Sequence, residues 1–148
     1  MGRSDHALLS DLVNRLGLWL DEKRFDEART VFTEDATADT AGGSVRGIDA
    51  LAAQARRSHP PEVATQHFIT NPLIAVDGDR ATIDANLLVV FAGPAQRRIL
   101  GERYRLEAAR TPDGWRLSRV AADPVWETAV PEAGARAVDL DVTSTPIV

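Results

Sequence analysis

From Leu8 onward, apolar residues recur at Leu8, Leu9, Leu12, Val13, Leu16, Trp19 and Leu20, three or four apart, which predicts a helix with one buried face. Ser4 or Asp5 can cap its start. Phe25, Ala28, Val31 and Phe32 fit a second, short helix. Ile48, Leu51, Ala52 and Ala55 fit a third, which the His-Pro-Pro of 59–61 stops. The intervening AGGSVRG reads as a hairpin turn with short flanking strands. After Pro61 the pattern lengthens into β segments over about 63–76, 80–92, 97–110 and 115–128, separated by turns that carry Gly or Pro. Helices first and antiparallel strands afterwards predict an α+β domain with the helices packed on one face of a curved sheet. From Val130 to the end periodicity is lost, so 1–129 reads as one domain and 130–148 as a tail, either flexible or lying over a pocket or dimer surface.

Composition narrows the function classes. At 148 residues with 44% hydrophobic content the chain can bury one substantial core. Its 17 basic residues are scattered among 22 acidic ones, for a net charge of −5, which argues against a nucleic-acid surface. Cysteine is absent, so thiol nucleophiles, disulfides and thiolate metal sites are excluded. Only His6, His59 and His67 are available and no two are closely spaced, so neither a metal site nor a cofactor is expected. No stretch approaches about 18 apolar residues and the amino terminus has no signal-like core. The expectation is a cytoplasmic protein with no membrane partner.

Candidate chemistry centres on TQHFITN, residues 65–71, which places a histidine and an asparagine in an otherwise apolar strand. Alternation puts His67, Ile69 and Asn71 on one face and Phe68, Thr70 and Ile74 on the other. His67 is either a structural core histidine or a base, and the second role requires a carboxylate to orient it. Asp21, where the first helix ends, is the candidate partner. Continuing the helix turns it about 140° from the apolar stripe, so solvation is its alternative. Tyr104 can offer its hydroxyl to a substrate or to solvent. Asn71 can bind substrate or support a bulge before Pro72. Trp19, Phe32, Phe91, Tyr104 and Trp126 serve equally as pocket walls or as ordinary core. A cavity lined mainly by Leu, Val and Ala favours an apolar, ring-containing ligand.

The run DLVNRLGLWLDEKRFDEARTVFTEDATAD, Gly47 before a helix, HFITNPLIAVDGDRA, GERYRLEAARTPDGWRL and Trp126 together resemble the SnoaL-like branch of the nuclear transport factor 2 superfamily, over about residues 8–128. The resemblance implies a cone, with a strongly curved antiparallel sheet and helices around an apolar pocket, and often a homodimer through sheet faces. Leu106, Ala108 and Leu117 are the candidates for that outward surface. Scytalone dehydratases and hexachlorocyclohexane dehydrochlorinases in this superfamily use an Asp–His dyad, and its positions match Asp21 and His67. The residues that assist a leaving chloride would fall at Leu16 and at Val120 or Arg119, so dehalogenation is not expected. The tyrosine that scytalone dehydratase places before its aspartate is Leu20 here, and no later-strand histidine exists. The resemblance therefore implies a cofactor-independent dehydratase, isomerase or polyketide cyclase acting on secondary metabolites. The rival readings are an epoxide hydrolase built on Asp84, Arg103 and Asp123, and a binding domain without catalysis.

Overall fold

The computed structural model describes residues 2–131; of the tail expected from Val130, everything after Pro131 lies outside the described residues. Two α-helices, α1 (Asp5–Asp21) and α2 (Ile48–Ser58), and a short 3-10 helix at Phe25–Thr30 pack on one curved, unclosed sheet. Its six strands are β1 (Phe32–Thr40), β2 (Gly43–Arg46), β3 (Ala64–Asp77), β4 (Arg80–Ala92), β5 (Gln96–Thr111) and β6 (Gly114–Pro131), in the spatial order β2-β1-β6-β5-β4-β3. This is the α+β cone that the sequence predicts. One ladder departs from the antiparallel expectation, because β1 and β6 run parallel. After β2 the chain leaves the sheet through α2 and re-enters it at the opposite edge as β3, so the inner edge of β1 is paired by the last strand.

Helix α1 begins at Ser4, whose hydroxyl accepts a hydrogen bond from the Ala7 amide at 3.2 Å. It buries Leu9, Leu12, Leu16 and Trp19, and each fully buried leucine contributes roughly 1.5–3 kcal/mol. The expected second helix is shorter than its apolar spacing suggests. Phe25 and Ala28 lie in the 3-10 turn, whereas Phe32 opens β1. The β-branched Thr30, Val31 and Thr33 around it favour extended backbone.

In β4 and β5 alternation holds throughout: Ala81, Ile83, Ala85, Leu87 and Val89, then Leu100, Glu102, Tyr104, Leu106 and Ala108, are buried. Leu106, Ala108 and Leu117 therefore belong to the core, each at most 1% exposed, which corrects their assignment to an outward dimer face. The period-2 phase of β5 is set by Tyr104 and Leu100 facing the helices. The exposed apolar row instead crosses the sheet in register from Phe68 to Leu88 to Trp126, whose indole covers the buried Gly101 between them.

Trp126 is half exposed on that outer row and its indole lies over Gly101. It is not a cavity wall, because β6 carries an extra residue, Val125, where Gly101 pairs with Trp126 and Glu102 with Pro124. The bulge reverses which residues of β6 point inward. Among the described residues no helix is long and apolar enough to cross a membrane.

A methyl group at residue 101 would occupy the space of the Trp126 indole. Gly101→Ala is therefore expected to lower stability by about 1–3 kcal/mol in urea unfolding. In a Trp126→Ala background the same change costs much less, and equal costs in both backgrounds would contradict the packing described.

Candidate active site

The last turn of α1 is fixed against the start of β3. Gly17 brings the helix so close that an added Cβ would lie 3.6 Å from the Ile69 side chain and 4.0 Å from the His67 carbonyl oxygen. Beyond the helix, Lys23 adopts a left-handed backbone (φ 54°) that breaks the helical path. Its Nζ donates to the Val63 carbonyl at 2.9 Å. Asp21, one turn after Gly17, thus faces β3 and not solvent.

Three donors of β3 meet the Asp21 carboxylate. The Thr65 hydroxyl donates to Oδ1 at 3.1 Å, the His67 amide donates to Oδ2 at 2.8 Å, and His67 Nδ1 donates to Oδ1 at 2.6 Å. Burial pushes the Asp21 carboxyl up, but the ring and amide of His67 and the Thr65 hydroxyl outweigh it and hold the group below the usual carboxylate range. An ionised Asp21 accepting from Nδ1 fixes the tautomer, so Nε2 of His67 keeps its lone pair. The His67 side chain is only 4% exposed, and its ring lines an internal cavity of about 320 Å³.

Cavity walls come from every layer: Leu16, Trp19 and Leu20 of α1, Leu51 and Ala55 of α2, Phe32 of β1, and Leu87, Val89, Leu100, Tyr104 and Val120 of the sheet. Trp19 packs edge-on against Phe25 and Phe32 at 5.2 and 4.9 Å. Of the residues singled out in the sequence, His67, Trp19, Phe32, Phe91 and Tyr104 converge on this space, with Asp21 behind His67. Tyr104 is 4% exposed, and burial pushes its phenol up, so it stays a hydroxyl donor.

Asn71 and Trp126 do not join them. Asn71 sits in a bulge between Thr70 and Leu73 with φ 56°, a conformation that asparagine tolerates. It is exposed, and the bulge switches the phase of β3, so that Ile74 packs toward the core despite its even-numbered position. Asp84, Arg103 and Asp123 do not meet in the cavity either. Arg103 donates to Asn86 at 3.0 Å on the outer face, and Asp123 pairs with Arg105.

His59 and Glu102 line the cavity and escaped the sequence reading. His59 caps α2 and sits 5.5 Å from the His67 ring and 5.6 Å from the Phe91 ring, centroid to centroid. Its Nδ1 donates to the Ala55 carbonyl at 2.9 Å, while Nε2 is buried with no hydrogen-bond partner. Burial, with smaller contributions from His67 and Lys23, lowers its pKa to about 4. Glu102 is 9% exposed on the inward row of β5, and burial raises its carboxyl above the usual value. The signal for Glu102 was available in the alternation Leu100, Glu102, Tyr104, Leu106. Among the described residues no group of three His, Asp or Glu side chains could hold a metal ion.

The SnoaL-like domain family matches residues 3–121. The chain belongs to the SnoaL-like family. An uncharacterized protein of Mycobacterium tuberculosis is 33% identical to this SnoaL-like chain over 124 residues, covering 78% of this chain and 82% of its own. The crystal structure of a protein from Kribbella flavida superposes with a TM-score of 0.76 at 31% identity, over 84% of this chain and 93% of that one. The hexachlorocyclohexane dehydrochlorinase of Novosphingobium barchaimii shares the SnoaL-like fold at a TM-score of 0.76 and 20% identity, covering 90% of this chain and 93% of its own.

His59 is neutral in the folded protein down to about pH 4, whereas an unfolded histidine takes up its proton near its ordinary value of 6.5. Its contribution to stability is present above that value and is lost as pH falls toward 4, by up to about 3 kcal/mol. Urea unfolding of the wild type is expected to weaken across that window, and His59→Phe to flatten the slope. Equal slopes in the two proteins would contradict the burial assigned to this ring.

Proposed function

We propose that this protein is a lyase or isomerase that removes a proton from a carbon next to an activating group on an apolar, ring-containing small molecule. Loss of water is the outcome that the site supports best. The observation that carries this reading is the 2.6 Å hydrogen bond from His67 Nδ1 to Asp21, in a side chain whose ring lines the cavity. It leaves Nε2 as a fixed lone pair facing the reactant space. Proton uptake at Nε2 creates an imidazolium that the adjacent carboxylate stabilises, so the pair favours the charged state formed during the reaction. We assign to Tyr104, a protonated phenol lining the same cavity, donation to the oxygen on which enolate charge develops. No cofactor is needed for such a step.

The walls argue for the substrate class. Around the polar cluster they are leucine, valine, alanine and aromatic rings, and the space suits a fused bicyclic ketone of polyketide or terpenoid type. Chloride as a leaving group fits less well. Leu16 and Val120 line the cavity at the positions where a cation would assist chloride, and Arg119 is engaged by Asp39 and Glu107 outside it. Epoxide hydrolysis is disfavoured because Asp84, Arg103 and Asp123 do not share the cavity.

α-Tetralone in deuterated water tests the base alone, since it has an activated methylene and no leaving group. Wild-type protein is expected to accelerate deuterium incorporation next to the carbonyl, read by mass spectrometry. His67→Ala should reduce that acceleration by about a hundredfold or more, and Asp21→Asn by at least about tenfold. Exchange that survives in His67→Ala would overturn the assignment.

A further inference from the structure

Glu102 stands where a strand facing an apolar cavity would ordinarily carry Leu or Val. Its neighbours on the inward row of β5 are Leu100 and Tyr104, and its partner across β4 is Leu87. Burying a carboxyl among such residues is costly unless it is paired or protonated. Glu102 makes no hydrogen bond or ion pair with any described residue, although the cavity-lining Arg98 lies on the same strand. That arginine is engaged by Glu127 and stacks over the Phe91 ring at 5.5 Å. The carboxyl is therefore neither a structural counter-ion nor a solvated surface group.

Register places Glu102 relative to the base. His67 pairs with Val89, which pairs with Leu100; Ile69 pairs with Leu87, which pairs with Glu102. The two functional residues are thus two strands and one inward row apart, about 10 Å laterally at the usual strand spacing, on a sheet that curves around the space between them. A single ring fits between an imidazole reaching from one strand and a carboxyl reaching from the other. The bulge in β6 at Val125 lies directly beside Glu102, where bulges commonly re-aim a side chain.

We propose that Glu102 is the catalytic acid that protonates the departing hydroxyl in the loss of water described above. This rests on His67 as the base. Nε2 of His67 takes the proton from the carbon next to the carbonyl, and the C–H electron pair becomes the new C=C bond as the C–O bond breaks. The proton of Glu102 joins the leaving oxygen to give water. The protein is left with an imidazolium and a carboxylate, and transfer of one proton from His67 to Glu102 restores both. Burial favours the protonated acid, and so do Asp123 and Glu127 from β6; His67 and Arg98 oppose them. The acid is thus most available before His67 becomes charged, which is the order that the reaction requires.

Two derivatives of α-tetralone separate the roles. The β-hydroxy compound needs a proton on its leaving group and yields fluorescent α-naphthol, whereas the β-chloro compound loses chloride without one. After subtraction of spontaneous rates, Glu102→Gln is expected to slow loss of water by about a hundredfold and to leave loss of chloride within about twofold. His67→Ala slows both. Equal slowing of both by Glu102→Gln would overturn the acid role and assign Glu102 to the enolate oxygen or to structure. Turnover of neither compound by the wild type would count against the base. A carbon-13 NMR titration of the Glu102 carboxyl, which needs no substrate, then decides the acid: a midpoint above that of ordinary glutamate is required, and one at or below it overturns the proposal.

Discussion

The anchoring of one carboxylate, Asp21, by three donors of a single strand organises the rest of the site. An ionised group at the edge of an apolar cavity is tolerable only when its lone pairs are occupied. The Thr65 hydroxyl and the amide and ring of His67 occupy them together. Those bonds exist because α1 ends where β3 begins, and because Gly17 lets helix and strand approach closely. The Lys23 turn then pins the junction through Val63. The same contacts that dock the helix also orient the imidazole, so packing and chemistry are not separable here.

Beyond that pair, the cavity controls charge by burial. His59 is held neutral with its Nδ1 on the Ala55 carbonyl, Tyr104 keeps its proton, and Glu102 is pushed toward its acid form, while Asp21 is pulled the other way. Two carboxyl groups with opposing environments flank one accessible imidazole. On the reading proposed above, these opposing environments give Glu102 the acid role and His67 the base role within one apolar pocket. The curved sheet makes it possible, because inward rows from β3 and β5 face a common space instead of standing side by side.

Much of this was legible in the chain. Helix α1 and the strands β4 and β5 follow from periodicity, and the turns between strands from their Gly and Pro residues. Asp21 and His67 were found as a pair because a resemblance joined residues 46 positions apart that spacing alone could not connect. What escaped has identifiable causes. The bulge at Val125 shifts the two-residue phase, which is why Trp126 read as inward and is not, whereas the bulge at Thr70/Leu73 is the second of the two roles left open for Asn71. The end of β1 was expected as a flank of the AGGSVRG hairpin; its start was hidden because Phe25, Ala28, Val31 and Phe32 satisfy a helical spacing that the β-branched residues around them oppose. His59 was read only as the stop of α2, since its role depends on tertiary burial. Glu102 was passed over because a charged residue in a strand is ordinarily solvated.

The central claim is that Asp21 fixes the tautomer of His67 and so leaves Nε2 as a base toward the cavity. Long-range proton–nitrogen NMR correlation on nitrogen-15 histidine-labelled protein reads this directly at a pH where the ring is neutral. The account predicts a protonated Nδ1 and an unprotonated Nε2 for His67, with that preference lost in Asp21→Ala. A proton on Nε2 in the wild type, or the same tautomer with and without Asp21, would contradict it.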